Sequence, residues 1–264
     1  MDENELRTRT ADVNAGAGAR VEVERPDVVE LLPGLLYLLR FVVGQAYLWR
    51  DKGELTLIDA GPVGSAARTV EVVTALGHRV SDLRRIVVTH FHEDHMGGAA
   101  ELAELSGARV YVHRLDAPFV RGETAGPQPV FEDWEVPIRR EVAKLLPADP
   151  PTAVPAEAVD EVEHRDVLDF GGGARIVGAP GHTDGSIGIH LPRHGVLFTG
   201  DAIAVSPMDG EVILGVFNVD RKRALASFRE LAALDPEVAC FGHGEPVLTG
   251  AGAMLRAAAG RYED

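Results

Sequence analysis

The sequence predicts one α/β domain over residues 25–264, and three observations carry that expectation. Short β-favouring runs alternate with stretches whose apolar residues recur every three to four positions, as in a layered strand-and-helix structure. The 264 residues are 45% hydrophobic and 25% charged, which suits a chain that buries a sizeable core and excludes disorder as a description of the whole. No apolar run approaches the roughly 20 residues needed to cross a bilayer, so no membrane partner is expected.

Residues 1–24 are polar and rich in Gly and Ala without periodicity, and they read as a disordered tail. They lack the apolar core and cleavage pattern of a signal peptide, so a cytoplasmic location is expected. Folding should begin near Val28. From Leu35 the runs LLYLLRFVV, QAYLW and LTLID predict three mostly antiparallel strands, parted by Gly44 and the turn Arg50-Asp51-Lys52-Gly53. Ala66, Val70, Val73 and Leu76 then recur at helical spacing and Gly77 closes the helix. A strand at Ile86–Val88, a helix from Gly98 to Leu105 stopped by Gly107, and a strand from Arg109 to Val112 follow.

From Arg114 to Arg165 the texture changes, with prolines at 118, 127, 129, 137, 147, 150, 151 and 155 breaking any long element. This predicts an inserted cap with one short helix, opened by Pro137, carried by Ile138, Val142, Leu145 and Leu146, and ended at Pro147. Regular structure resumes with strands at Arg175–Val177, Ser186–His190 and Val196–Phe198. A helix on Ala224, Leu225, Phe228, Leu231 and Ala232, a strand at Val238–Phe241 and a helix from Ala251 to Ala259 complete the chain.

Composition narrows the chemistry. Cys240 is the only cysteine, so intramolecular disulfides and zinc fingers are excluded and any metal must be held by nitrogen and oxygen. The net charge of −15 repels phosphate backbones, and no Lys/Arg block reverses it locally. A small-molecule substrate is expected rather than a nucleic acid. Nothing in the sequence specifies an oligomeric state.

The strongest signal is Thr89-His90-Phe91-His92-Glu93-Asp94-His95, directly after the strand at 86–88 and holding three of the ten histidines. In a loop leaving a strand, His90 and His92 can point one way while Asp94 and His95 face a second point. Imidazole and carboxylate are the donors expected for zinc, manganese or iron. Three further β-like stretches end in Gly plus a ligand-type residue: Gly181-His182, Gly200-Asp201 and Gly242-His243. Strand ends that present ligands together describe an active site at one edge of a sheet.

His90-x-His92-x-Asp94-His95, followed in order by His182, Asp201 and His243 and preceded by Leu57-Ile58-Asp59-Ala60-Gly61, resembles the metallo-β-lactamase superfamily from about Leu35 to Pro246. The resemblance implies a four-layer αββα sandwich with an inserted cap and two metal ions, zinc foremost with Mn or Fe as variants. It implies His90, His92 and His182 on the first ion, Asp94, His95 and His243 on the second, Asp201 bridging, and Asp59 fixing ligand orientation by hydrogen bonding. A bridging aspartate, where the main zinc β-lactamases use cysteine, points to the glyoxalase II-like and lactonase-like branch. The expected activity is hydrolysis of a carboxylic ester, thioester or lactone by metal-bound hydroxide, with Asp94 as the catalytic proton carrier.

Departures from the family pattern narrow this further. The short stretch after His243 is not expected to hold the glutathione-binding helical domain of glyoxalase II, and Ala202-Ile203-Ala204 lacks the tyrosine that lactonases carry after the bridging aspartate. Asp184 replaces a proline common among relatives and should alter only its turn. Two rival readings are a mononuclear iron persulfide dioxygenase using His90, His182 and Asp201, and a non-catalytic metal-stabilised binder of a small molecule. Phe119, Phe131, Trp134 and Ile138 either line a substrate channel or pack the cap, and the same choice holds for Met208, Ile213, Leu214 and Phe217. His78, His113, His164, His190 and His194 read as surface or packing residues, and Cys240 as a small buried side chain.

Overall fold

The computed structural model describes residues 27–146, 148–149 and 151–263. The expected tail at 1–24 and the helix stop at Pro147 lie outside the described residues.

The chain opens with β1 (Val28–Leu32), β2 (Leu36–Arg40), β3 (Gln45–Asp51) and β4 (Glu54–Ile58), each antiparallel to the one before. It continues through α1 (Ala66–Ala75), β5 (Leu83–Val87), α2 (Glu93–Met96), α3 (Ala99–Ser106), β6 (Arg109–His113), α4 (Ala117–Val120), α5 (Val136–Leu145) and β7 (Asp160–Val162). Strands β4 to β7 pair in parallel, so the first sheet runs β1-β2-β3-β4-β5-β6-β7 and is antiparallel in one half only. The second half of the chain supplies β8 (Val167–Leu168), β9 (Ala174–Gly178), β10 (Ile187–Leu191), β11 (Val196–Phe198), β12 (Ile203–Val205), β13 (Val212–Leu214), α6 (Arg221–Ala233), β14 (Val238–Cys240) and α7 (Ala251–Ala259). Its main sheet has the order β14-β11-β10-β9-β8, with β11 and β14 parallel. β12 and β13 form a separate hairpin.

Side-chain alternation explains the layers. On β2, Leu36 and Leu38 face the second sheet while Tyr37 and Leu39 face the helices, the two-residue period of a strand buried on both sides. Between the sheets lie Trp49, Ile58 and Val87 from one side and Ile176, Ile189 and Phe198 from the other. Val72, Val73 and Leu102 pack α1 and α3 on the outer face of the first sheet, and Leu225, Phe228 and Leu255 pack α6 and α7 on the second. Full burial of one such side chain is worth about 1.5–3 kcal/mol, so these three cores supply the rigidity that a multi-segment site requires. The result is the helix–sheet–sheet–helix sandwich.

Several elements depart from the sequence reading, the short β8, β12 and α2 among them. β1 precedes the first expected strand. The span expected as a cap contributes β7 to the edge of the first sheet, and Ala117 and Val120 of α4 to the first core. The cap proper is therefore the stretch between α4 and β7, where α5 forms as expected. Ile213 and Leu214, offered by the sequence as channel lining or packing, belong to β13, and Leu214 is buried. Among the described residues, no helix is long and apolar enough to cross a membrane.

Candidate metal centre

β4, β5, β9, β11 and β14 end at the same edge of the sandwich, and each delivers its polar residue immediately beyond its last residue or within the loop that follows. Asp59 follows β4, while His90 and His92 lie in the loop after β5 and Asp94 and His95 on the short α2. His182 lies in the turn between β9 and β10, Asp201 in a 3₁₀ turn after β11, and His243 after β14. The seven residues singled out by the sequence come together as three overlapping groups: His90, His92 and His182; His90, His95 and Asp201; Asp94, His95 and His243. Within each group the donor atoms lie within 4.8 Å of one another.

The contacts define which atoms converge. His92 Nδ1 stands 3.1 Å from His90 Nε2 and 2.9 Å from His182 Nε2. On the other side His243 Nε2 lies 3.3 Å from His95 Nε2, 3.2 Å from Asp94 Oδ2 and 3.3 Å from Asp201 Oδ2. Asp201 spans the two clusters, 3.4 Å from His95 Nε2 through Oδ1 and 3.7 Å from His182 Nε2 through Oδ2. A Cβ on Gly242 would stand 1.9 Å from Asp201 Oδ1, so only glycine lets this strand end approach.

The outer ring nitrogens fix the direction of the inner lone pairs. His182 Nδ1 faces the carbonyl of Val216 at 3.0 Å and His95 Nδ1 faces Asp59 Oδ2 at 2.9 Å. Both partners accept only, so both Nδ1 atoms carry hydrogen; His182, kept neutral, presents its Nε2 lone pair to the centre, and the Nε2 of His95 is turned the same way. The Thr89 hydroxyl donates to Asp59 Oδ2 at 2.9 Å and so accepts from His90 Nδ1 at 3.0 Å. Asp59 thus orients His95 directly and His90 through Thr89. It is held at φ +57, a conformation a non-glycine residue adopts at a cost of about 1–3 kcal/mol.

This donor set fits a divalent cation. Three inward imidazole nitrogens about 3 Å apart cannot be satisfied by the single proton His92 can place among them, whereas ligands on a tetrahedral ion at about 2.0–2.1 Å sit about 3.3 Å from one another. Asp201 Oδ1 is buried and makes no hydrogen bond, although a buried carboxylate oxygen ordinarily has a partner.

Residues 39–243 match the Metallo-beta-lactamase superfamily. The chain belongs to that superfamily. The probable metallo-hydrolase YflN of Bacillus subtilis is 30% identical over 208 residues, 72% of this chain and 75% of that protein. A hydroxyacylglutathione hydrolase of Rhodobacter capsulatus is 30% identical over 83% of this chain and 70% of its own length. The crystal structure of a metallo-beta-lactamase family protein from Thermus thermophilus superposes with a TM-score of 0.63 at 27% identity, covering 88% of this chain and 79% of that one.

Within this metallo-β-lactamase sandwich the two clusters differ in charge. Burial, reinforced by the neighbouring imidazoles, holds His90 well below its usual range and His92 at about 3; burial also lowers His182. Burial acts the same way on His95 and His243 but is overcome by Asp201 and Asp94, which raise His95 well above its usual range and His243 to about 10. Burial would raise Asp94 and Asp201, yet those same imidazoles hold both carboxylates below theirs.

Several supporting residues escaped the sequence reading. Gln45 Nε2 donates to the carbonyls of Phe241 and Gly244, each at 2.8 Å, bracketing His243, and the Tyr47 hydroxyl donates to Phe241 at 2.7 Å. Glu135 is buried in the cap and accepts from the Phe217 amide at 2.7 Å, next to the carbonyl that holds His182. Glu93 accepts from the Ala153 amide at 3.2 Å, so the cap is bonded to the His90–His95 segment and to the loop whose carbonyl faces His182. The four apolar residues expected there divide: Phe119 of α4 packs at a tilt against Phe91 and Ile138 is buried, while Phe131 and Trp134 remain exposed, Phe131 against Phe217 and under Arg139. Met208 is exposed, and Asp184 does more than shape its turn because it pairs with Arg223. Among the described residues none of the five remaining histidines joins a group able to hold a metal, and burial raises the enclosed Cys240 thiol out of reactive range.

Proposed function

We propose that this protein is a dinuclear hydrolase of a carboxylic ester, thioester or lactone, with His90, His92 and His182 holding one cation, Asp94, His95 and His243 the other, and Asp201 shared. Its class, a metal-dependent hydrolase, follows from the family and from relatives named as metallo-hydrolases and a hydroxyacylglutathione hydrolase. The observation that supports the dinuclear reading is the buried Oδ1 of Asp201, without a hydrogen bond among the described residues, between two donor clusters. Zinc is the metal this nitrogen and oxygen set suits first, with manganese or iron as alternatives.

A pair of divalent cations supplies Lewis acidity toward a scissile carbonyl and makes water ionisable near neutral pH. The chain's own residues do the rest. The Asp59–Thr89–His90 and Asp59–His95 bonds keep two imidazoles in one tautomer, and Val216 does so for His182. Asp94, whose side chain keeps 27% of its surface against 10% for Asp201, is the carboxylate placed to take up a proton and hand it to the leaving group. The exposed Phe131 and Trp134 offer an apolar contact to a small-molecule substrate at the cap.

The test is elemental analysis of the native protein coupled to hydrolysis assays across ester, thioester, lactone and β-lactam panels, with Asp94→Asn as control. Two zinc-like equivalents per chain and hydrolysis of an ester-type bond that falls with Asp94→Asn are expected. One iron per chain with sulfite released from glutathione persulfide would replace this reading with an oxygenase. A fully loaded protein that hydrolyses nothing would make it a binding protein.

A further inference from the structure

Asp116 stands just beyond β6, where Asp116-Ala117-Pro118 opens α4. An aspartate in that place ordinarily accepts a hydrogen bond from the first amides of its own helix. Here the side chain makes no such bond. It is fully buried and turned toward the metal loops: Oδ2 accepts from the Phe91 amide at 3.1 Å and the Thr183 hydroxyl at 2.7 Å, and Oδ1 from the Gly185 amide at 2.8 Å. Phe91 lies between His90 and His92, and Thr183 follows His182. One carboxylate therefore grips the backbone of both loops that carry the three imidazoles.

The surroundings admit no substitute. A Cβ on Gly185 would stand 2.4 Å from Asp116 Oδ1, so the turn after His182 closes onto this carboxylate only with glycine there. Ser186 completes the turn, its Oγ accepting from the Thr183 amide at 3.0 Å and lying 2.8 Å from the Thr183 hydroxyl. Burying a carboxylate costs several kcal/mol, far more than a helix cap of about 1 kcal/mol returns, and capping is the role this one does not perform.

We propose that Asp116 is a positioning residue of the metal centre: by holding the Phe91 and Gly185 amides and the Thr183 hydroxyl it aims His92 Nδ1 and His182 Nε2 at a common point, and so sets the affinity of the three-imidazole half without touching the ion. The inference rests on the ligand assignment above. Asp116→Asn keeps the shape but turns an amide NH2 toward either Gly185 N–H or Phe91 N–H, leaving donor against donor. Thr183→Val removes one hydroxyl donor, and Thr183→Ser restores it.

The experiment is zinc titration of the whole protein against a competing chelator, with thermal melting alongside, for the wild type and these three variants, each also in a His243→Ala background that leaves the three-imidazole equivalent alone. Asp116→Asn is expected to weaken that equivalent by about 10–100-fold, the range for residues that orient metal ligands, and to leave the other unchanged. Thr183→Val should weaken it less and Thr183→Ser hardly at all. Wild-type affinity in both Asp116→Asn and Thr183→Val overturns the proposal, as does an equal loss at both equivalents that tracks the melting temperature. Should Asp116→Asn fail to fold, Thr183→Val against Thr183→Ser decides, and equal affinities overturn it. A wild type that takes up no zinc overturns the ligand assignment itself, and this inference with it.

Discussion

The two halves of the candidate metal centre meet at Asp201, yet the protein holds their protons in opposite ways. His90 and His182 expose only 1% and 2% of their surface, and burial keeps them and His92 unprotonated. Asp94 and His243 keep 27% and 34% of their side chains exposed, and there carboxylates draw protons onto His95 and His243. In the absence of a cation the second half satisfies itself by ion pairs, while the first is left with lone pairs facing lone pairs. One half is preformed for a cation and the other is internally compensated.

Removing the residue common to both is the severest way to break that contrast. Asp201→Ala should abolish both metal equivalents in elemental analysis. It should also lower hydrolysis by about 10³-fold or more, the rate equivalent of several kcal/mol of lost charge stabilisation. Retention of two equivalents would show that Asp201 is not shared. Next in size, His182→Ala and His243→Ala should each remove one equivalent and keep the other, and loss of both from either variant would show that the halves do not bind independently.

The contrast also marks what was legible in the sequence. The seven ligand-type residues announced themselves because four crowd into one segment after a strand, which is rare by chance, and the other three each follow a glycine. The inner strands were equally plain, since burial on both faces gives unbroken apolar runs such as Leu35–Leu39. Edge strands were not: Asp160–Val162 carries two acids and lies at the end of its sheet. Least legible were the braces. Asp116 drew no notice in the sequence, and its partners lie 25, 67 and 69 positions away. Val216 acts through a backbone carbonyl that any residue supplies. Such contacts are properties of the fold and leave no local pattern.

Glu135 offers a milder probe of the preformed half. Its Oε1 accepts from Phe217, its Oε2 from Glu132 at 2.9 Å, and Phe217 sits at φ +60 beside the carbonyl that orients His182. Glu135→Gln places an NH2 against one of two amide donors and should loosen that carbonyl. Zinc competition is expected to show the His90–His92–His182 equivalent weakened by about tenfold, the lower end for residues that orient ligands. An unchanged affinity would mean that the cap rests on the site without steadying it.

The smallest expected effect concerns the compensated half and is read on protein stripped of metal by a chelator. His243 is raised to about 10 by Asp201 and Asp94 acting against burial, from about 6.5 in an unfolded chain. A raised value means that the folded state holds the proton more tightly, so the stabilisation is complete below about pH 6.5 and drains away as pH climbs toward about 10. Water at its exposed face screens part of the attraction, which keeps the effect modest. Melting temperatures of the stripped protein should therefore fall between pH 7 and 10, and His243→Gln, which carries no titrating proton, should flatten that slope. His92, held at about 3 by burial and its neighbouring imidazole, gives the opposite expectation: its charge does not change over this range, so His92→Gln should leave the slope intact. Equal flattening in both variants would erase the difference between the halves.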